Sequence, residues 1–157
     1  FNEQKKFMEL SNSNLDLAVE AYPLDQALKG LKWITPKFDK NPQQELDLLI
    51  QTKKVLIDEN KKFILITNYQ IIPALIDLKG VSPNKWYDGF SVPKEGNKFF
   101  EKYKKFFRNS VKKQNIRIIY LIDKDQKYLD DMYDNNECIK YTQINPITLK
   151  ANIEKCS

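Results

Sequence analysis

Hydrogen-bonding side chains directly follow the most apolar stretch of the chain. Four large apolar residues at positions 63–66 precede Thr67, Asn68, Tyr69 and Gln70. An apolar run between polar neighbours predicts a strand buried on both faces, and ligands of open α/β sheets bind beyond the carboxyl ends of such strands. Hydroxyl and amide groups suit hydrogen bonding to a sugar or peptide, but they need an activating base to become nucleophiles. We therefore expect recognition, or plain anchoring of the loop, rather than catalysis at these four residues.

A second group of candidate binding residues lies in the loop at residues 81–89, which contains Asn84, Trp86, Tyr87 and Asp88. Loops that hold aromatic and polar side chains together are typical of binding sites. The alternative is that Trp86 and Tyr87 fold back over the core, because aromatic side chains bury large areas wherever they can. The composition favours this alternative.

Two carboxylates, Asp123 and Asp125, follow another apolar run at residues 116–122. Carboxylate oxygens at the end of a strand can bind a hard cation. Lys124 separates the two acids and no further acidic pair is near, so capping of the next helix is the favoured role and no metal site is predicted. Asp123 joins the candidate ligand-binding residues at the carboxyl edge of the sheet.

Several kinds of catalytic machinery are missing from the sequence. Histidine is absent, which removes the commonest general base and the commonest metal ligand. The chain has four glycines and no glycine-rich phosphate-binding or nucleophile-elbow motif. We predict no catalytic residue and no cofactor. The alternative is a stand-alone soluble enzyme that handles a nucleotide sugar or phosphate ester with Asp123 and Asp125.

The elements that must position these residues alternate along the chain. Asn41 as N-cap, Pro42 at the first helical position and Gln44 at the capping-box position predict the start of a helix. We further predict strands at residues 63–66, 116–122 and 138–142, helices at 70–78, 97–115, 126–134 and 147–155, and short extended segments at 15–20 and 31–35.

Such alternation is typical of βαβ units. We predict an α/β fold, namely a three-layer Rossmann-like sandwich with a mostly parallel central sheet of about 4–5 strands. Residues 1–14 are predicted to form a linker or arm, and residues 15–157 a single α/β domain. No apolar run approaches the roughly 20 residues that span a bilayer.

Basic residues gather on one face of the helix predicted at 97–115, within the stretch 98–113, where Lys102, Lys105, Arg108 and Lys112 lie. The face could contact lipid headgroups or a polyanion, and a solvated helix face is the simpler interpretation. The net charge is only +5, and no zinc-finger or RNP-like motif is present, which disfavours nucleic-acid binding.

The two cysteines, Cys138 and Cys156, cannot form a four-thiolate zinc site and do not lie in a CxxC motif. A disulfide between them and two separate thiols both remain open. A disulfide would imply an extracytoplasmic compartment.

Four stretches together resemble the soluble C-terminal region of bacterial polytopic membrane proteins similar to the dolichyl-phosphate-mannose and ArnT-type (GT-C-like) glycosyltransferases. These stretches are residues 31–36, 66–70, 82–88 and 138–156. In such enzymes the catalytic carboxylates lie near the membrane-embedded part, so the resemblance implies that this fragment has no catalytic residue of its own.

The resemblance further implies a place on the extracytoplasmic (periplasmic) side of a bacterial inner membrane, with the membrane-embedded part of the same polypeptide as partner. The domain would bind glycan acceptor or lipid headgroups, or position the enzyme. The chain begins without Met or a signal-peptide pattern, which agrees with a fragment of a longer protein.

Overall fold

The computed structural model describes residues 14–35, 41–88, 90–134 and 137–154. The chain divides into two units, and the boundary lies between Lys54 and Val55. The predicted linker at residues 1–14 lies almost wholly outside the described residues.

The first unit contains small elements and most of one long helix. In chain order they are a 3₁₀ turn (Leu15–Leu17), β1 (Val19–Glu20), a second 3₁₀ turn (Gln26–Leu28), β2 (Lys32–Trp33) and α1 (Pro42–Asp58), whose last turn belongs to the second unit. β1 and β2 pair antiparallel. The extended segments predicted at 15–20 and 31–35 are therefore strands over only two residues each.

Helix α1 begins where the sequence predicts it. The Asn41 side chain accepts a hydrogen bond from the Gln44 N–H at 3.2 Å, which satisfies one of the free amides of the first turn. The helix is then held within the first unit by its side chains. Glu45 Oε2 accepts from Trp33 Nε1 at 2.9 Å, and Lys53 Nζ donates to the Leu24 carbonyl at 2.8 Å.

The second unit is a mixed sheet with helices. Its elements are β3 (Phe63–Thr67), α2 (Ile71–Leu75), α3 (Phe100–Lys113), β4 (Ile118–Ile122), α4 (Lys127–Met132), β5 (Ile139–Asn145) and β6 (Thr148–Ile153). Every residue of β3 and of β4 is buried, as the apolar runs predict. The helices cover one face of this sheet, in a cluster that includes Ile64, Ile66, Ile119 and Leu121 of the strands, Phe107 of α3 and Leu129 of α4.

The prediction of a mostly parallel, Rossmann-like sheet is wrong. The strand order is β3-β4-β6-β5, and only β3 and β4 run parallel, whereas β6 is antiparallel to both β4 and β5. The predicted sheet is wrong because residues 147–155, predicted as a helix, instead contain the strand β6. The Asn145 side chain accepts a hydrogen bond from the Ile147 N–H at 3.1 Å and closes a tight turn, so the chain returns as a hairpin.

Candidate functional site

The parallel pairing of β3 and β4 brings the two predicted groups of polar residues to one edge of the sheet. Thr67 pairs with Ile122 at the ends of these strands, so the segments that follow, 68–70 and 123–125, leave the sheet side by side. Beyond this edge lies an open cavity of about 700 Å³. Its size is that of a site for a small ligand.

Four segments of the second unit supply the cavity wall. The lining residues are Asn68, Tyr87, Asp88, Val92, Pro93, Lys94, Glu95, Phe100, Lys124, Asp125, Lys127, Tyr128, Asp131 and Met132. Three lysines face four carboxylates, and aromatic and aliphatic side chains lie between them. We call this space the edge cavity.

The structure distributes the predicted ligand-binding residues over two sites. Asn68, Tyr87 and Asp88 line the edge cavity. Thr67, Gln70, Asn84 and again Tyr87 line a smaller cavity of about 200 Å³. Tyr69, Trp86 and Asp123 line neither of these two cavities.

Tyr87 connects the two cavities and belongs to a buried polar network. Its hydroxyl contacts the Ser82 hydroxyl and accepts from the Asn84 N–H at 3.3 Å, and Ser82 Oγ donates to the Leu65 carbonyl at 3.0 Å. Tyr103 donates to Asn84 Oδ1 at 3.0 Å and lies 2.8 Å from the Tyr128 hydroxyl. These bonds fasten the 82–88 loop between β3 and α3.

The phenols of this network stay protonated at neutral pH. Burial raises the pKa of Tyr87 and raises the pKa of Tyr103 to about 12. Burial also raises the pKa of Tyr128 far above its usual range, and Tyr103 beside it adds to the shift. A phenol with a raised pKa can donate a hydrogen bond but is a poor base or nucleophile. The network therefore suits recognition.

Asp88 holds its own loop in shape. Its carboxylate accepts hydrogen bonds from the Phe90 and Ser91 N–H groups, each at 2.8 Å, and from Ser91 Oγ at 2.9 Å. These backbone bonds keep the pKa of Asp88 below its usual range, so the carboxylate is ionised at the mouth of the edge cavity.

Lys124 and Asp125 both lie at this edge of the sheet but form different hydrogen bonds. Lys124 Nζ donates to the Tyr87 carbonyl at 2.6 Å and ties the loop to the end of β4. Asp125 Oδ1 accepts from the N–H of Lys127, the first residue of α4, at 2.8 Å, while Gln126 occupies the N-cap position without a side-chain cap bond. Asp123 adopts a positive φ of 53°, and its N–H donates to the Ile147 carbonyl at 2.8 Å. Within the described ranges, no group of three or more metal-ligating side chains could hold a metal ion.

Sequence reasoning missed most of the residues that line the edge cavity. Residues 92–95 and the aromatic ring of Tyr128 come from segments far apart in the sequence, and no local motif joins them. The position of Lys124 between two acids at the end of a strand could have indicated this cavity. In the sequence, however, a lysine at this position argues mainly against metal binding.

The predicted basic face divides in the structure. Lys102, Lys105 and Lys112 are exposed, whereas Arg108 is half-buried and its guanidinium pairs with Asp134 at 2.7 Å. Cys138 is a described residue and Cys156 lies outside the described residues, so both alternatives for the pair, a disulfide or two separate thiols, stay open. No helix of the described segments has both the length and the apolar character needed to cross a bilayer.

Comparison of the chain with protein-family models, with curated proteins and with solved structures found no match. The resemblance to the soluble region of GT-C-like glycosyltransferases therefore remains a prediction.

Proposed function

We propose that this chain is a noncatalytic, extracytoplasmic domain of a membrane glycosyltransferase-like protein, and that the edge cavity binds the glycan acceptor. The observation that carries this proposal is the composition of the cavity wall, where charged side chains and the Asn68 amide occur together with three aromatic rings. Sugars present hydroxyl groups and apolar C–H faces together, so they pair with both kinds of side chain.

Each kind of side chain in the cavity wall has a role in the proposed glycan binding. Asn68, which follows β3, and the ionised Asp88, Lys94 and Glu95 of the loop before α3 line the cavity and can bond sugar hydroxyls. The rings of Tyr87 and Tyr128 lie edge-to-face, with centroids 5.4 Å apart, and form a firm apolar floor. Nothing in this wall activates a nucleophile, which supports binding without turnover.

The test is titration of the purified chain with neutral, acidic and amino-sugar oligosaccharides, followed by NMR chemical shifts. We expect shifts at the cavity residues for at least one class. Lys94→Ala and Glu95→Gln remove charged partners at exposed positions, and we expect each to weaken binding about tenfold to a hundredfold.

Lys62→Ala is the matched control, since Lys62 is equally exposed but precedes β3 at the opposite edge of the sheet. If the Lys94→Ala and Glu95→Gln variants bind the oligosaccharide with the same NMR chemical-shift changes as the parent chain, the edge cavity is not its binding site. Thermal stabilisation by nucleotide sugars with Mg²⁺, lost in Asp123→Ala, would instead favour the stand-alone enzyme. The membrane assignment fails if the gene encodes no apolar spans outside residues 1–157.

A further inference from the structure

Two aromatic side chains of α3 point away from its core-facing stripe. The buried residues of the helix are Phe100, Tyr103, Lys104, Phe107 and Val111. Phe99, the N-cap residue, and Phe106 are instead 52% and 51% exposed. Packing within the second unit does not account for two half-exposed phenylalanines, and exposed apolar groups rimmed by polar ones mark interaction surfaces.

The helical repeat places lysines in register with these rings. Residues three, four and seven apart share one side of a helix, so Phe99, Lys102, Phe106 and Lys113 lie on one line along the helix. Lys105 and Lys112 lie on the adjacent line. We call these six residues the Phe-Lys face. All of them are exposed.

The positive charges of the Phe-Lys face are not neutralised locally. None of its four lysines forms an ion pair with a carboxylate of the described residues. The acids near α3 form ion pairs with the other two cations of the helix, Lys104 and Arg108. Asp134 pairs with both of them, and Glu101 pairs with Lys104. Glu101, four residues before Lys105, is the one acid of α3, and its ion pair is with Lys104, so the four lysines of the face keep their charge unpaired among the described residues.

The loop before α3 is hydrogen-bonded to the helix and carries exposed apolar side chains of its own. Gln114, just after the helix, bonds both the Val81 N–H at 2.8 Å and the Val81 carbonyl at 2.7 Å, and Tyr103 bonds Asn84. These bonds fasten the loop to α3 at Tyr103 and just after the last residue of the helix. The loop carries the exposed side chains of Val81 (73%), Trp86 (47%) and Phe90 (104%).

We propose that the Phe-Lys face docks the second unit on an anionic lipid bilayer, with α3 lying in the plane of the membrane surface. Lysines on such a helix attract anionic headgroups, and phenylalanine and tryptophan rings enter the boundary between headgroups and acyl chains. A strand of nucleic acid would need a groove that follows its backbone. The outer side of a single helix is convex, and it fits a flat surface better than a strand. This proposal does not depend on the edge cavity binding a glycan.

The test is co-sedimentation of the full chain with vesicles of phosphatidylglycerol and phosphatidylcholine, and with vesicles of phosphatidylcholine alone. We expect binding to the anionic vesicles only, and weaker binding as salt increases. The triple variant Lys102→Gln, Lys105→Gln and Lys112→Gln is expected to bind about a hundredfold more weakly. Phe99→Ser with Phe106→Ser is expected to weaken binding while its salt dependence is kept.

A matched triple variant controls for net charge. Lys29, Lys54 and Lys62 are exposed lysines outside the face, and changing all three to Gln removes the same charge. We expect this control to bind vesicles like the parent chain, and circular dichroism confirms that each variant is folded. Equal losses in the two triple variants would overturn the proposal. So would a lack of binding to anionic vesicles, or tighter binding to a single-stranded oligonucleotide than to those vesicles.

Discussion

Glu59 is a single carboxylate that joins three parts of the second unit. Its side chain, 9% exposed, accepts from Lys150 Nζ on β6 at 2.7 Å and from the Tyr120 hydroxyl on β4 at 3.1 Å. The Lys61 N–H donates to the other oxygen at 3.1 Å. Burial opposes ionisation here, but the hydrogen bonds from Lys150, Lys61 and Tyr120 outweigh it and lower the pKa of Glu59 below its ordinary value of 4.5.

This lowered pKa predicts a pH-dependent stability. A carboxylate whose pKa is lower in the folded state stabilises the fold above the unfolded pKa, and the contribution disappears as pH falls through the folded value. We expect Glu59→Gln to lower the free energy of unfolding by about 2 kcal/mol at neutral pH. The difference from the parent chain should shrink below a pH of about 4.5.

Urea denaturation at a series of pH values measures both quantities. Asp77→Asn is the control, because Asp77 is exposed and the same charge is removed there. A difference between parent and Glu59→Gln that stays constant down to the most acidic pH would contradict this account of Glu59.

At the scale of elements, Gly80 sets how closely the segment after α2 passes β3. A Cβ at this position would lie 2.4 Å from the Phe63 carbonyl oxygen and 3.0 Å from side-chain atoms of Ile64 and Ile116. Gly96 differs, since nothing lies within 4 Å but its φ is +85°. Lack of space therefore restricts substitution of Gly80, whereas the positive φ restricts substitution of Gly96.

The two glycines should differ in which of Ala and Asn is tolerated better. We expect Gly80→Ala to destabilise the fold by about 1–3 kcal/mol, and Gly80→Asn to do so further, because each added atom increases the overlap. At Gly96, Asn should be tolerated better than Ala, since Asn adopts positive φ more readily. Urea denaturation of the four variants tests this, and the same Ala-versus-Asn order at both sites would contradict it.

The elements that the sequence predicts well are those with local causes. Asn41 and Pro42 specify the start of α1 through bonds within one turn, and the apolar runs of β3 and β4 identify strands buried on both faces. Residues 147–155 are different, because Asn145 and Pro146 suit a turn as well as a helix entry. Only pairing with β4 and β5 decides that β6 is a strand, and this pairing is not local. The same limit explains why Asn68, Tyr87 and Asp88 were among the candidates for the site while residues 92–95 were not.

At the scale of the molecule, the edge cavity and the Phe-Lys face meet at the first turn of α3. Phe100 lines the cavity, and its neighbour Phe99 belongs to the face. A chain docked through the face would therefore hold the part of the cavity wall that Phe100 forms near the membrane surface. There a glycan attached to a lipid would be available at a high effective concentration, because the docking step has already brought the two together.

This arrangement predicts that the two sites reinforce each other. An oligosaccharide bound in solution, once it is linked to a lipid in anionic vesicles, should bind the chain about a hundredfold more tightly than in its free form. Lys94→Ala should reduce the difference in binding between vesicles with and without the lipid-linked glycan, and should leave docking on glycan-free vesicles intact. The Lys102, Lys105 and Lys112 triple variant should lose the gain and keep its affinity for the free glycan. Vesicle co-sedimentation and solution titration measure the two affinities separately. Equal binding to vesicles with and without the glycan would show that the docked cavity does not reach the lipid-linked sugar.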